Sequence, residues 1–472
     1  MTPRIALALM IVSSPAFADD GETIIVIGKV PDQAAADRDR ALGDAPFVTV
    51  IHPDDHAATE SVADAVGSTV GAQTRSLGGL GAFESVTVRG ASPGHTEVLV
   101  DGIPLARIAA VTQDLGRFAL DAFGQVELYR GAVPVELGGA GVGGALNLVT
   151  RLGRDDRGNR FTASLGYGSF GARHLRAHYG DNHGDHWASS TTLGYQGATG
   201  DYTYFSDNGT QLNLADDSYK TRTNNSFDQV DLASRIGRTD RPTAFGLRFA
   251  YKDQGLPGSA NQPTLVARLG TLDAIADARG SITFEHVIGK QLAYGMIERQ
   301  ELRDPDGELG LGAQARDYLT LSGGVSSTWI AALDRHRLTA GVELRADRFT
   351  DRDADAEMAA LIGTRYGGAA LAAFDLAIDS DSRFVITPAI RFDAERTKPA
   401  TNTMPPASAR TDTIPSPRLS ARAGSPTTSH SRHRPVRTCA CRRWSSCSAI
   451  AGRSRARRIC IPRPDRTSMP AS

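Results

Sequence analysis

The chain has 472 residues, of which 40% are hydrophobic and 6% aromatic, and it contains 49 glycines. No long apolar run is present, so the composition excludes a helical membrane protein and leaves a soluble or an outer-membrane β protein. The formal net charge of −1 hides an asymmetry, because residues 424–472 carry eleven arginines against the single acid Asp465, a net +10 that leaves −11 on residues 1–423.

The N-terminus has the features of a cleavable signal peptide. Arg4 supplies a positive start, Ile5–Val12 is an apolar run too short to span a bilayer, and Ala16–Ala18 places small residues at the cleavage positions. Residues 1–18 are therefore predicted to direct export. All four cysteines lie beyond residue 438, and a cysteine-free exported body suits an envelope protein without a disulfide framework.

Residues 19–45 combine a short β-prone run, Glu22–Lys29, with a polar stretch, Val30–Ala45, that is predicted to be a flexible linker. An extended segment on such a linker can add as a strand to the sheet edge of a partner through backbone hydrogen bonds. Taken alone, the run fits a first structural strand better.

Residues 46–152 are predicted to form a small α/β domain. Phe47–Ile51 is predicted to be a strand, Thr59–Val66 a helix and Ala72–Phe83 a loop. Val98–Val100 is predicted to be a strand that returns through Asp101-Gly102, since glycine accepts the positive φ of a tight turn.

Four consecutive segments of this region resemble a known family. They are Val86–Gly90 (VTVRG), Val98–Leu105 (VLVDGIPL), Val126–Leu137 (VELYRGAVPVEL) and Gly138–Arg151 (GGAGVGGALNLVTR). This succession of short strands and glycine turns resembles the plug domain of TonB-dependent outer-membrane receptors. The resemblance implies a plug inside a large barrel. In such receptors ligand binds outside, the protein TonB pulls a periplasmic segment called the TonB box, and the plug rearranges so that substrate passes; the resemblance implies the same mechanism here.

The resemblance also implies roles for particular residues. The run after the signal peptide matches the TonB box, the apical plug loops match the ligand-binding positions, and three charged residues match recurrent plug charges. For these charges, ion pairing within the plug or to the barrel wall is favoured over ligand contact. The TonB-box residues are Glu22, Thr23, Ile24, Ile25 and Val26. The candidate ligand-binding residues are Arg75, Ser76, Leu77, Gly78, Gly79, Leu80, Phe83, Ser92, His95 and Arg107. The plug charge cluster is Arg89, Glu127 and Arg130.

Residues 160–423 change to period-two alternation, which Phe161–Tyr167 introduces and similar stretches repeat. They predict about twelve strands, most of them near the roughly 9–11 residues that a tilted membrane strand needs. The predicted fold is mainly β, with an N-terminal α/β plug domain inside an antiparallel transmembrane β-barrel, of which about half the strands are encoded.

The predicted turns alternate between short and long, as in an outer-membrane barrel. Gly168–Gly171 and Gly289–Gln291 are predicted to be tight turns, whereas Gly200–Asn225 and Gly255–Arg279 are predicted to be long loops. Short turns of such barrels lie in the periplasm and long loops lie outside the cell.

The alternation ends after Ala423, where Arg, Ser, Pro and Cys take over. Residues 424–472 are compatible with a disordered basic tail, or with a zinc site around Cys439 and Cys441. A frameshift is the favoured interpretation. When residues 438–452 are back-translated and read from the third base of each codon, they give the string VRLPTLVELFGDRG, which resembles the mid-barrel signature of the same receptors. A barrel of about 22 strands would then break off after about Ala423, leaving open edges in lipid, so we predict no working pore from the chain as written.

Two further motifs have alternative interpretations. Gly139–Gly144 has the dinucleotide spacing G-x-G-x-x-G, but Ala145–Thr150 has the pattern of a strand, so the glycines are predicted to pack closely between plug and wall. His174 and His178 would lie about 13 Å apart on a strand and are predicted to face the lumen or the surface rather than a metal. Asp181–His186 is predicted to be a hairpin turn.

The sequence therefore predicts no catalytic site, no enzyme activity, no cofactor, no metal and no nucleic-acid partner. The predicted function is that of a TonB-dependent receptor in the outer membrane of a Gram-negative cell, for energised uptake of a siderophore, cobalamin or metal chelate. Its partners would be TonB, bound through Glu22–Lys29, outer-membrane lipid and a small-molecule ligand. The alternatives are a non-transporting receptor fragment and a secreted β-rich binding or adhesion protein.

Overall fold

The computed structural model describes residues 48–56, 60–105, 113–130, 133–134, 137, 143–153, 160–184, 186–210, 212–238, 240, 243–310, 312–353, 360–379, 384–398 and 409–423. The predicted signal peptide, TonB box and basic tail lie outside these residues. The described residues form one α-helix, α1 (Val62–Gly67), and twenty-one strands. In chain order the strands are β1 (Val48–Ile51), β2 (Ala72–Ser76), β3 (Glu84–Val88), β4 (Thr96–Val100), β5 (Ile103–Pro104), β6 (Gln125–Tyr129), β7 (Gly144–Val149), β8 (Phe161–Tyr167), β9 (Arg173–His183), β10 (Trp187–Ala198), β11 (Thr203–Ser206), β12 (Ser218–Thr221), β13 (Phe227–Arg238), β14 (Ala244–Gly255), β15 (Arg268–Thr283), β16 (Val287–Asp304), β17 (Gln314–Leu333), β18 (His336–Asp353), β19 (Leu361–Ala377), β20 (Phe384–Lys398) and β21 (Arg410–Ala423).

The N-terminal α/β domain is built on a five-stranded sheet with the order β1-β6-β7-β4-β5, in which only β4 and β7 are parallel. One face of this sheet packs with α1 around a core that includes Val100, Leu128 and Leu148. The helix begins at Val62 rather than at the predicted Thr59. Ser61 accepts a hydrogen bond from the backbone of Asp64, and the Asp64 side chain accepts one from the backbone of Ser61, a capping box that fixes this start.

The predicted turn after β4 is confirmed. Asp101 and Gly102 have φ values of +52° and +79°, and they join β4 to β5 as a two-residue hairpin in which Val100 pairs with Ile103. Two successive positive φ values are the mark of a type I′ turn, which glycine and short polar residues tolerate best.

The predicted loop over Ala72–Phe83 is partly wrong. Residues Ala72–Ser76 form β2, which pairs with β3 as an antiparallel hairpin, and only Leu77–Phe83 makes the connection between them. The polar composition of β2 hid the strand, because four of its five side chains lie outside the core.

The C-terminal part is built on an antiparallel sheet of twelve strands in the order β21 to β13 and then β10, β9 and β8, and β11 and β12 form a separate hairpin within the predicted long loop Gly200–Asn225. Twelve strands agree with the number predicted, but their boundaries differ. The predicted long loop Gly255–Arg279 is wrong over its second half, where β15 begins at Arg268. Gly289–Gln291 lies inside β16, and the tight turn before it is Phe284–His286.

The turn Gly168–Gly171 also lies at the opposite end from the one predicted. The backbone N–H of Gly200 and the hydroxyl of Thr199 both donate to the carbonyl of Phe170, at 3.0 and 2.8 Å. This turn therefore sits with the long loops at one end of the sheet, here called the loop end. The hairpin predicted at Asp181–His186 is confirmed, since β9 runs to His183 and β10 begins at Trp187.

The large sheet has a polar face and an apolar face. On β13, Gln229, Asp231 and Arg235 are buried while Val230 and Ile236 are exposed, as period-two alternation requires. The same division recurs on the other strands. Buried polar residues include His174, Arg176, Arg248, Lys252, Asp273, Glu298 and Arg391, and exposed apolar ones include Leu165, Leu193, Phe245, Leu247, Ile297, Val325 and Leu344. A soluble sheet buries its apolar side chains, whereas a membrane barrel turns them outward.

The N-terminal domain lies against the polar face. Its core cluster extends to Ile275 on β15 and Met296 on β16, and polar contacts reach it from strands as far apart as β9 and β21. The sheet therefore wraps around the domain. Within the described residues, no helix has the length and apolar character needed to cross a membrane.

Candidate functional site: the plug–wall interface and the loop end

The twelve-stranded sheet is here called the wall, and the N-terminal domain is called the plug. Residues 113–123 of the plug make most of its described ionic contacts with the wall, and we call this segment the clasp. Arg117 is 5% exposed, and its Nη1 lies 2.8 Å from Asp273 Oδ2 and 3.9 Å from Glu298 Oε2. The side-chain amide of Gln229 donates to the Arg117 carbonyl at 2.8 Å. A single clasp residue thus contacts three strands of the wall, β13, β15 and β16.

Asp121 extends the clasp to β9. Its carboxylate lies 2.5 Å from Arg176 Nε and 3.2 Å from His174 Nε2, and Arg176 also makes a bidentate pair with Asp231 at 2.6 and 3.0 Å. His178 contacts the hydroxyl of Thr192 through Nδ1 at 2.9 Å. His174 and His178, predicted to face the lumen or the surface, are both buried on the polar face, and His174 touches the clasp.

Aromatic rings complete the clasp. The guanidinium of Arg248 lies over the rings of Phe118 and Phe123, at 5.1 and 4.6 Å from their centroids, and Lys252 Nζ lies 3.7 Å from Asp114. Cation–π contacts of this kind strengthen when they are removed from water, as they are here.

A second attachment forms at the Asp101-Gly102 turn. Asp101 is 6% exposed, and its Oδ2 lies 2.7 Å from Arg235 Nη2, while its Oδ1 accepts the backbone N–H of Thr150 at 3.0 Å. Arg279 donates to the Asp101 carbonyl at 3.1 Å. Burial alone would raise the pKa of Asp101, but Arg235, Arg279 and the hydrogen bonds from Thr150 outweigh it and lower the pKa.

The three charged residues singled out from the sequence do not converge on one site. Glu127 is 2% exposed and accepts hydrogen bonds from Gln125, Tyr129 and Asn147, at 2.6, 3.0 and 2.8 Å. Arg130 donates to the hydroxyl of Thr49 and to the carbonyl of Val70.

Arg89, the third of these residues, is exposed in a left-handed turn with φ +53°. Glu127 and Arg130 thus brace the domain internally. The charges that reach the wall are Asp101, Asp114, Arg117 and Asp121, which sequence reasoning missed.

The candidate ligand-binding residues form two groups, while Arg107 lies outside the described residues. Residues 75–80 are exposed at the end of β2 and on the β2–β3 connection. An added Cβ on Gly81 would lie 2.4 Å from the ring of Phe227, the first residue of β13 at the loop end. Ser92 and His95 are exposed in a separate turn, where the His95 carbonyl accepts the N–H of Gly143 at 3.1 Å. Among the described residues no hydrogen bond joins the two groups.

The described end of the glycine-rich segment, Gly143 and Gly144, packs within the domain rather than between plug and wall as predicted. Residues 139–142 lie outside the described residues. Gly144 has φ +120°, and an added Cβ would lie 2.1 Å from the carbonyl oxygen of Tyr129. An added Cβ on Gly143 would lie 2.9 Å from Ala91 Cβ. These glycines let β7 approach its neighbours closely.

The described residues contain no group of three or more His, Cys, Asp or Glu side chains that could hold a metal ion. Asp114, Arg117 and Asp121 of the clasp each pair with a wall residue of the opposite charge, so the interface has the chemistry of an attachment.

Glu97 on β4 faces the last strands of the wall, and its burial predicts how the stability of the chain depends on pH. Its Oε2 is shielded from solvent, and among the described residues it has no hydrogen-bond partner. Burial raises the pKa of Glu97 to about 7, although Arg391 opposes the effect; Glu343 raises it further. The folded state therefore binds a proton more tightly than the unfolded chain, and stability should fall as pH rises from 4.5 to about 7.

We expect Glu97→Gln to remove this slope and to stabilise the chain above pH 7 by at most about 3 kcal/mol. Urea unfolding in detergent at several pH values measures it. Glu285→Gln, at a side chain that is 89% exposed, is the matched control. Equal slopes in the wild type and in Glu97→Gln would contradict the prediction.

Comparisons with known proteins agree with this architecture. Residues 43–145 match the family model described as TonB-dependent Receptor Plug Domain. The vitamin B12 transporter BtuB of Vibrio cholerae serotype O1 is 29% identical over 149 residues, which are 32% of this chain and 24% of that protein. BtuB of Vibrio vulnificus is 34% identical over 99 residues, 21% of this chain and 16% of the relative. The match thus spans less than a quarter of the length of these relatives.

Solved structures resemble the chain over a longer stretch. The FrpB iron transporter of Neisseria meningitidis has a TM-score of 0.61 at 13% identity, covering 79% of this chain and 61% of that one. The copper transporter OprC has a TM-score of 0.60 at 15% identity, covering 79% and 60%. The ferric citrate transporter FecA, in its unliganded form, has a TM-score of 0.58 at 13% identity, covering 82% and 61%. At these identities the likeness concerns the fold alone. Residues 43–145 thus match the plug domain of TonB-dependent receptors, and the antiparallel sheet that follows shares the fold of the solved receptor barrels.

Proposed function

We propose that the chain acts in the outer membrane as a TonB-dependent receptor for the energised uptake of a scarce ligand such as a siderophore, a cobalamin or a metal chelate. One observation carries the proposal: a plug domain is ion-paired to the polar face of a sheet whose other face is apolar. That arrangement suits a gated passage through lipid.

Ligand recognition is assigned to the loop end. The exposed residues of the β2–β3 connection, with Leu77 64% and Leu80 54% exposed, lie beside the start of β13, where the long loops emerge. Vitamin B12 and iron or copper compounds are named for the relatives and structural neighbours, and these fit the same general class of cargo.

TonB is the proposed periplasmic partner, bound through Glu22–Lys29. We expect deletion of these eight residues to abolish energised uptake, because strand addition to TonB needs this segment. Ligand binding to whole cells should persist, because binding at the loop end does not need it. Deletion of Pro31–Arg38, an equally long piece of the polar stretch, is the control. Uptake that survives the first deletion would contradict the proposal, and adhesion unaffected by both would favour a secreted binding protein.

A second candidate is a receptor fragment that does not transport. Within the described residues, β8 and β21 are each paired on one side only. Two open edges with several unpaired backbone groups apiece would cost on the order of tens of kcal/mol in hydrocarbon. Sequencing the gene around codon 424 separates the candidates: an intact reading frame favours the fragment, and a restored barrel frame favours the receptor.

A further inference from the structure

Two loops at the loop end are fastened together by one carboxylate. The loop between β14 and β15, residues 256–267, and the loop between β16 and β17, residues 305–313, emerge from the wall two strands apart. Glu308 of the second loop accepts hydrogen bonds from three consecutive backbone N–H groups of the first. The donors are Leu265 at 2.8 and 2.9 Å, Val266 at 2.9 Å and Ala267 at 3.1 Å.

Three successive amides converging on one carboxylate form a concave anion-binding site of the kind called a nest. Among the described residues no Lys, Arg or His nitrogen lies within 4.0 Å of Glu308, so the amides are what hold it. The N–H of Val266, together with those of Leu265 and Ala267, keeps the pKa of Glu308 below its usual value. The carboxylate is therefore ionised, and the contact is made, at any pH above that lowered pKa.

The nest is braced from its other side, independently of Glu308. The side-chain amide of Asn224 donates to the hydroxyl of Thr264 at 3.0 Å and to the carbonyl of Ala267 at 2.7 Å, and the Thr223 hydroxyl donates to the Thr264 carbonyl at 3.2 Å. Thr264 and Ala267 are fully buried. The three amides thus point outward from a fixed support.

Glu308, by contrast, sits on a loop that can move without breaking this support. Gly307, Gly310 and Gly312 flank it, all with positive φ, and Asp304 holds the near end of the loop by accepting the N–H groups of Glu308 and Leu309 at 2.8 and 2.9 Å. Beside the nest, the side chains of Leu265 and Val266 are 66% and 40% exposed. A guest that combines a carboxylate with an apolar body would match both features.

We propose that the amides of Leu265, Val266 and Ala267 form a carboxylate-binding site, which Glu308 occupies as an internal ligand and which the carboxylate of an incoming ligand takes over. This proposal rests on the proposed function, because it takes the incoming molecule to be the ligand that the receptor transports. When the carboxylate of the ligand replaces that of Glu308, the charge in the nest is unchanged. The free energy needed to displace Glu308 is therefore that of moving the β16–β17 loop away. Binding of the guest would also unfasten the two loops from each other.

The test is amide hydrogen exchange on the purified chain in detergent, with acetate as the probe and chloride at equal ionic strength as the reference. In Glu308→Ala, exchange at residues 265–267 should accelerate by on the order of tenfold to a hundredfold, because charge-assisted hydrogen bonds are lost. Acetate should slow it again, whereas chloride should not. Asp306→Ala, at an exposed acid in the same loop, should exchange like the wild type, and Glu308→Gln should fall between.

Exchange in Glu308→Ala that acetate leaves unchanged would overturn the proposal, as would wild-type protection in Glu308→Ala without any added anion. Because the assay needs neither TonB nor uptake, its failure is distinct from failure of the receptor function, which the deletion of Glu22–Lys29 tests. Slowing by acetate that also appears at unrelated amides would point to general stabilisation and would count against a specific site.

Discussion

Replacement of Asp101 with asparagine is expected to destabilise the folded chain by about 3 kcal/mol, one of the largest effects available at a single plug side chain. Removing one member of a buried ion pair typically costs about 3–5 kcal/mol, because the other charge stays buried without compensation. The expected value lies at the lower end because Asp277 remains 3.2 Å from Arg235 after the change.

Asparagine is the informative substitution at this position. Asp101 has φ +52°, and asparagine tolerates that left-handed conformation nearly as well as aspartate, so the loss reports the charge and not the turn. Asp334→Asn is the matched control, since Asp334 has φ +57° in an exposed turn. Urea unfolding in detergent measures both variants. A loss at Asp101 no greater than that at Asp334 would mean that the ion pair contributes nothing.

Replacement of Gly144 with alanine should cost about 4 kcal/mol or more, or prevent the plug from folding. A Cβ would enter to within 2.1 Å of the Tyr129 carbonyl oxygen, and the φ of +120° adds backbone strain. Because β7 is paired on both sides, by β6 and by β4, the strand cannot shift to relieve the contact.

Gly90→Ala isolates the backbone part of this effect. Gly90 has φ +74°, but an added Cβ there meets nothing within 4 Å, so we expect a loss of about 1–2 kcal/mol. Protease resistance and unfolding midpoints of the two variants give the comparison. Similar losses in both would show that β7 is not tightly packed against Tyr129.

The sequence was sufficient for the parts of the fold that depend on local pattern. Alternation and turn residues act over a few positions. They were enough to predict the Asp101-Gly102 turn, the number of wall strands and the strand at Gly144–Val149. The division of the wall into a polar and an apolar face also follows from the sequence, since period-two alternation places successive side chains on opposite sides of a strand.

Most of β15, from Arg268 to Arg279, was missed for a physical reason. Asp273 and Asp277 interrupt what would otherwise be an apolar stretch, and acids at that spacing are typical of a loop in a soluble protein. In this chain they face the plug, where Arg117 and Arg235 neutralise them. The acids of this strand make sense only beside the plug, and Arg117 precedes Asp273 by 156 positions in the chain.

The clasp and the Glu308 contact could not be predicted from the sequence either, because they too join residues that are far apart in the chain. Arg117, Asp121 and Glu308 are ordinary charged residues in ordinary composition, and no local signal marks their partners. What could have drawn attention to the clasp is the Phe118 and Phe123 pair, two aromatics set among charges in a short segment. The family resemblance directed attention instead to Arg89, Glu127 and Arg130, of which Glu127 and Arg130 bond within the plug.

Buried ion pairs hold the plug against the polar face of the wall. A double-mutant cycle on Asp101→Asn and Arg235→Met, with unfolding free energies measured in detergent, tests this claim most directly. We predict a coupling energy of about 1.5 kcal/mol or more between the two positions, as expected for a close buried charge pair. Additive effects would contradict the claim, because they would mean that Asp101 and Arg235 do not meet in the folded molecule.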